Sequence, residues 1–289
     1  MRVFIFAALN KFLMLRFFFL NFLLLALIFS CSTALSQDRN FARTYQSITL
    51  PKGLKDIEVW NTYRTGRDYY FRRIDQRVEF EVGLTDKLQT ALYLNASHIA
   101  AYNTVITGNS VVGEIKSESE FSLSSEWKWR LSSADANAVG FALYGEITLA
   151  PKETELEGKI ILDKRAEKNI FALNLVGELE MEAEVENGEA EMETEAFIFE
   201  TDLAYMYMLK NNFGLGLELR NHNEIADSEW ESSALFGGPT LFFSGSKYFL
   251  ILNILPQLVN LKKPEGVSDS LDLLGHEKAE VRLLLGFGL

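Results

Sequence analysis

The chain has 289 residues, with 40 acidic side chains against 28 basic ones and a net charge of −12. That balance disfavours nucleic acid as a partner, because phosphate binding needs clustered cations. The single cysteine, Cys31, leaves no disulfide framework with which to staple a small secreted fold.

Arg2, Lys11 and Arg16 are the only charges in the first 36 residues. Phe17 to Phe29 is apolar apart from Asn21, and Ala34-Leu35-Ser36 is a small-x-small site before Gln37. A basic start, a short greasy core and a small-residue site predict a cleaved signal peptide over 1–36. Met14 could serve as its start. Two alternatives stay open: an uncleaved transmembrane helix, and a lipoprotein acylated at Cys31. Cleavage removes three cations and no anion, taking the net charge from −12 to −15. Residues 37–55 are then expected to form a periplasmic N-terminal segment, and 56–289 the folded domain.

From residue 56 onward the chain alternates apolar and polar residues in short segments. In 73–84, Ile74, Val78, Phe80, Val82 and Leu84 oppose Arg73, Asp75, Arg77, Glu79 and Glu81. In 120–131, Phe121, Leu123, Trp127, Trp129 and Leu131 oppose Glu120, Ser122, Ser124, Glu126, Lys128 and Arg130. Twelve such segments are predicted: 56–66, 70–84, 88–99, 117–131, 138–150, 155–165, 169–182, 196–209, 213–223, 233–244, 247–258 and 277–289. Their length suits tilted strands crossing a bilayer, and the even number suits a bacterial single-chain barrel. Links at 85–87, 132–138, 166–168, 210–212 and 245–246 are mostly short. The intervening ones, at 99–116, 183–195, 223–232 and 260–276, are long, apart from a modest fifth-to-sixth link near Pro151. Short periplasmic turns alternating with longer outer loops are the pattern of a membrane barrel. The fold class read from the sequence is therefore all-β: a closed antiparallel transmembrane β-barrel of about 12 strands, preceded by the cleaved signal. A soluble β-sandwich or barrel is the competing reading.

The chain ends in "EVRLLLGFGL", with Val281, Leu283, Leu285, Phe287 and Leu289 on one face. This resembles the terminal assembly strand of bacterial outer-membrane proteins, although Leu289 stands where an aromatic is usual. Together with "GLTDKLQTALYLN" (83–95), "ALFGGP" (234–239), "ILPQL" (254–258) and "HEKAEVRLLLGFGL" (276–289), it resembles a poorly characterised, porin-like family of outer-membrane barrels. The resemblance implies the bacterial outer membrane, a surround of lipid and lipopolysaccharide, and insertion by the barrel-assembly machinery. It brings no catalytic residue.

Residues 180–197 carry a glutamate at every second position on both sides of Asn187-Gly188, a hairpin signal. A two-residue turn sets Glu186 opposite Glu189, Glu184 opposite Glu191 and Glu182 opposite Glu193. Like charges facing across a ladder repel, by about 1 kcal/mol or less in screened water. In hydrocarbon they would be prohibitive, so an acidic hairpin outside the bilayer is expected. Glu189 to Glu195 share the parity of the apolar Phe197, so a bulge or break is predicted between Glu193 and Phe199. The comb is a plain solvated loop or, alternatively, a place for loosely held Ca²⁺ or Mg²⁺, with no metal ligand assigned.

The inward faces mix signs, and Arg73, Arg77, Glu79, Glu126, Lys128 and Arg130 are the chosen lumen-lining residues. The three histidines come with no GxSxG, HExxH, CxxC or dinucleotide motif, so no catalytic residue is assigned. The reading is a channel or facilitator for small polar solutes through a charge-lined lumen. A closed barrel acting through its surface loops is the alternative, and an outer-membrane lipase or protease the third.

Overall fold

The computed structural model describes residues 39–289 except 108–109, 187–188, 228 and 263–269; the predicted signal peptide lies outside the described residues. Twelve strands run up and down in chain order. They are β1 Lys55–Thr65, β2 Phe71–Thr85, β3 Leu88–Thr107, β4 Ser110–Ser132, β5 Gly140–Leu149 and β6 Glu153–Ala166, then β7 Asn169–Glu186, β8 Glu189–Lys210, β9 Phe213–Ala226, β10 Glu229–Ser244, β11 Tyr248–Lys262 and β12 Ala279–Gly288. Each pairs with its sequence neighbour, and β1 closes on β12 from Asp56↔Gly288 to Thr65↔Ala279. Closure leaves no edge, which a sheet in hydrocarbon requires.

The alternation read from the sequence fixes which side chains meet lipid. Leu92, Leu94, Phe121, Leu123, Trp127 and Trp129 all point outward and are at least half exposed. Their neighbours Tyr93, Ser124, Glu126 and Lys128 point inward and are buried. Proline cannot donate to a ladder. The described β10–β11 pairs accordingly skip from Phe236↔Gln257 to Thr240↔Asn253 around Gly237-Gly238-Pro239.

Two predicted loops are shorter than expected. The segment 99–116 is mostly strand: β3 and β4 stay paired out to Thr107↔Ser110. The glutamate segment is likewise a paired hairpin, with Glu182↔Glu193, Glu184↔Glu191 and Glu186↔Glu189 in register. Its pairing shifts between Glu180↔Ala196 and Met181↔Thr194, so Glu195 is the extra residue, inside the predicted interval. That one insertion lets Phe197 and Phe199 face out below it while the carboxylates stay aligned above.

The largest departure concerns 37–55. That stretch is expected to be a periplasmic segment, but its described part, from Arg39 to Leu50, lies inside the barrel. Phe41, Ala42 and Leu50 are wholly buried, and Arg39, Asn40, Thr44, Tyr45, Gln46 and Ser47 are at most 5% exposed. Phe41, Ala42 and Tyr45 pack with Trp60, Tyr144, Ile161, Met206, Phe242, Phe249, Ile251 and Leu284 from the wall. The lumen is therefore not uniformly polar. An apolar cluster packs against the segment, because Phe41, Ala42 and Tyr45 bury lumen-facing aromatics that water would otherwise hydrate.

An outward Leu94→Arg substitution places a charge midway along β3 in the lipid. It should cost about 2–4 kcal/mol of folding stability. Denaturant titration of folding into lipid vesicles measures this, and an equal cost for the lumen-facing Asn95→Arg would contradict the assigned faces.

Candidate functional site: a plugged lumen with an outer vestibule

The plug has no strand partner, so its backbone depends on side chains from the wall. The Glu218 carboxylate accepts three consecutive amides, from Ala42 at 3.0 Å, Arg43 at 2.9 Å and Thr44 at 3.0 Å. The Thr240 hydroxyl donates to the same carboxylate at 2.6 Å. Tyr45 N donates to Asn174 Oδ1 at 2.6 Å, and Asn174 Nδ2 returns a bond to the Tyr45 carbonyl at 3.0 Å. Ser47 N donates to Asp163 Oδ1 at 3.1 Å and Leu50 N to Gln89 Oε1 at 2.8 Å. Each acceptor comes from an inward position of a different strand, so the anchoring is distributed around the wall.

Glycines make room for it. A Cβ at Gly140 would sit 2.2 Å from Ser47 Oγ, and one at Gly83 2.2 Å from the Pro51 carbonyl. At Gly83 the chain enters the barrel from the rim of short turns, held by Gly53 N to Gly83 O at 2.8 Å and Gly83 N to Leu54 O at 3.0 Å.

Cations clamp the plug from below and beside. The Arg39 guanidinium stacks 4.4 Å from the Tyr45 ring and 4.7 Å from the Trp60 ring, and Lys159 Nζ lies 4.5 Å from Tyr45. Arg39 also faces Glu58 at 3.5 Å and Glu81 at 3.9 Å. Higher up, Arg43 pairs with Glu280, which Arg220 also reaches at 3.0 Å. Arg220 in turn pairs with Glu200.

Above the plug a cavity of about 400 Å³ forms an outer vestibule with Arg43 and Tyr45 in its floor. Arg64, Arg73, Arg77 and Arg282, from β1, β2 and β12, line one side. Glu153, Glu155, Glu157, Glu178, Glu180, Glu200 and Asp202, from β6, β7 and β8, line the side diametrically across the strand order. The segregation is incomplete: Asp75 lies on the basic wall and Lys159 on the acidic one.

The six residues chosen from sequence share the inward face, but they occupy three levels. Arg73 and Arg77 line the vestibule. Glu79, Glu126 and Lys128 lie deeper, at most 1% exposed. Arg130 sits at the rim of short turns, where it donates to the Asp86 carbonyl. On the outer hairpin, Glu184, Glu191 and Glu193 are exposed and Glu182 is half-buried, while the side chains of Glu186 and Glu189 lie outside the described residues. Among the described residues the tight carboxylate groupings are Glu58, Glu79 and Glu81, and Glu155, Glu178 and Glu180, not the comb itself. Asp163, Asn174, Glu178, Glu180, Asp202 and Glu218 occupy inward positions of the same alternation; what the alternation could not supply is the plug that several of them hold.

Sequence comparison matches residues 33–289 to the family of unknown function DUF6662. The chain belongs to that family. No curated protein matches it. Among solved structures, the COG4313 outer membrane channel from Pseudomonas putida F1 superposes with a TM-score of 0.53 at 12% identity, covering 84% of this chain and 98% of that one. The NanC porin gives a TM-score of 0.50 at 11% identity, covering 81% and 100%. At these identities the likeness is one of fold, and this DUF6662 protein is an outer-membrane-type β-barrel.

Two outcomes follow from the anchoring. Glu218→Ala strips three buried amides of their acceptor, at about 1–3 kcal/mol each. The plug should then loosen while the barrel persists: a cysteine placed at Ala42 should become reactive to a soluble maleimide in the Glu218→Ala background and stay protected otherwise. In the outer link, burial and then the neighbouring His222 push His276 down to about 4. The opened link would titrate near the ordinary 6.5, so the packed link loses stability as pH falls from about 6.5 towards 4. Hydrogen exchange at 270–278, corrected for intrinsic rates, should accelerate over that window in the native chain and not in His276→Phe.

Proposed function

We propose that this protein is an outer-membrane channel for small polar solutes, closed at rest by its own N-terminal segment. One observation carries the reading: an open, charged vestibule ends on a plug held by wall side chains instead of by strand pairing. The described backbone bonds of 39–50 run to Glu218, Asn174, Asp163, Gln89 and Arg282, or within the segment. Such bonds exchange for water one at a time, whereas a laddered strand must be released as a unit. Lipid and lipopolysaccharide would surround the greasy wall, and the terminal strand would be read by the barrel-assembly machinery.

A second reading, a permanently closed barrel working through its outer hairpins, is favoured by the apolar packing of Phe41 and Tyr45 in the lower lumen. The enzyme reading has less support. His276 Nε2 faces Ser232 Oγ at 3.1 Å and Asp272 at 4.0 Å. A hydrolytic relay needs the acid on the other ring nitrogen.

Planar-bilayer recording separates the first two readings. The mature chain should insert with small or rare current steps. Deleting residues 39–49, or substituting Glu218→Ala where the deletion does not fold, should give frequent, larger ones. Stable insertion of both variants without current would overturn the channel reading.

A further inference from the structure

The vestibule's ion pairing is lopsided. On the basic wall, Arg64 and Arg73 share Asp75 at 3.0 and 2.6 Å, and Arg77 reaches Glu146 at 3.4 Å. Arg282 donates to Thr62 Oγ1 at 2.9 Å and to the Ala42 carbonyl at 3.3 Å. On the acidic wall, Lys159 pairs with Glu157 at 2.9 Å and Arg220 with Glu200. Glu155, Glu178 and Glu180 have no such partner among the described residues, although their carboxylate oxygens converge within 4.8 Å of one another. Deeper on the same wall, Asp202 is only 5% exposed, lines the cavity, and its Oδ1 has no hydrogen-bond partner. A buried, unsatisfied carboxylate oxygen is costly, and an incoming donor relieves that cost.

We infer that the vestibule binds a small zwitterion of net positive charge, an amino acid of the lysine or arginine type. Its ammonium or guanidinium groups lie on Glu155, Glu178 and Glu180, with Asp202 below them. Its carboxylate faces the opposite wall, where Arg73 keeps 36% of its side chain open. Opposed walls of opposite sign orient a dipolar solute, and a low-dielectric surround strengthens each contact relative to bulk water. A simple anion meets the uncompensated carboxylates first. A simple cation leaves the arginine wall unused. The volume, about 400 Å³, suits a single amino acid.

The inference rests on the channel reading for what the site serves, but binding itself is measured without flux. Calorimetric titration of the detergent-folded mature barrel should show L-lysine binding, n-butylamine binding more weakly, and L-glutamate not binding. The Glu155→Gln/Glu178→Gln double variant should weaken lysine about 10-fold or more, as should Asp202→Asn. Arg73→Gln should weaken lysine while leaving n-butylamine unchanged. Lysine binding unaffected by the Gln substitutions, glutamate binding as well as lysine, or binding of Ca²⁺ alone with none of lysine would each overturn the assignment. Silent bilayers with lysine binding retained would remove the channel and leave the site; conduction without lysine binding would remove the site and leave the channel.

Discussion

A peptide group in a place without water must find its partner inside the protein. That demand shapes this molecule twice. In the wall it forces closure: β1 pairs with β12 along ten residue pairs, so the sheet has no unpaired edge facing lipid. In the lumen it recurs, because the segment from Arg39 to Leu50 occupies a dry interior with no strand to join. There the wall lends side chains in place of a ladder, with Glu218 taking three amides and Asn174 serving Tyr45 as both acceptor and donor. The inward polar residues of the lower barrel are thus a template for one particular irregular backbone.

This division explains what the sequence disclosed and what it withheld. Lipid on one side and a packed or watery lumen on the other impose a strict period of two, and the period is visible in Phe121 to Leu131 without any partner. The same rule located the irregularity near Glu195, because two parities cannot coexist in one regular ladder. The plug does not follow its own pattern: in "RNFARTYQSITL", Phe41, Tyr45 and Ile48 stand at a helical spacing, yet the segment is irregular. Its conformation is dictated by sites scattered from Gln89 to Glu218, contacts that single-chain patterning does not encode. Likewise 99–116 reads as a loop because Gly108-Asn109 and the polar residues beside it dominate, whereas the hairpin there is held by pairing across β3 and β4.

The lumen's two levels also settle how charges can be tolerated. Deep carboxylates and amines cannot rely on solvent, so they lie in contact with one another or with aromatic faces: Arg39 between Tyr45 and Trp60, Lys159 over Tyr45 and Tyr144. Cations held against ring faces in a desolvated place gain about 2 kcal/mol where exposed ones gain less. Higher up, the vestibule leaves Glu155, Glu178 and Glu180 with their carboxylate oxygens within 4.8 Å of one another and no cation paired to them among the described residues.

The two levels are coupled through the residues that span them. Arg43 belongs to the plug and lines the vestibule floor, and its guanidinium pairs with Glu280, which Arg220 shares with Glu200 on the acidic wall. In the proposed binding mode, a cation seated on Glu155, Glu178 and Glu180 lies on the same wall as Glu200 and its pair with Arg220. The proposed solute site and the plug are therefore joined by a contiguous set of ion pairs, with no need for a distant conformational element. A neutral solute has no charge with which to enter that network, and an anionic one is repelled by the uncompensated carboxylates of the acidic wall.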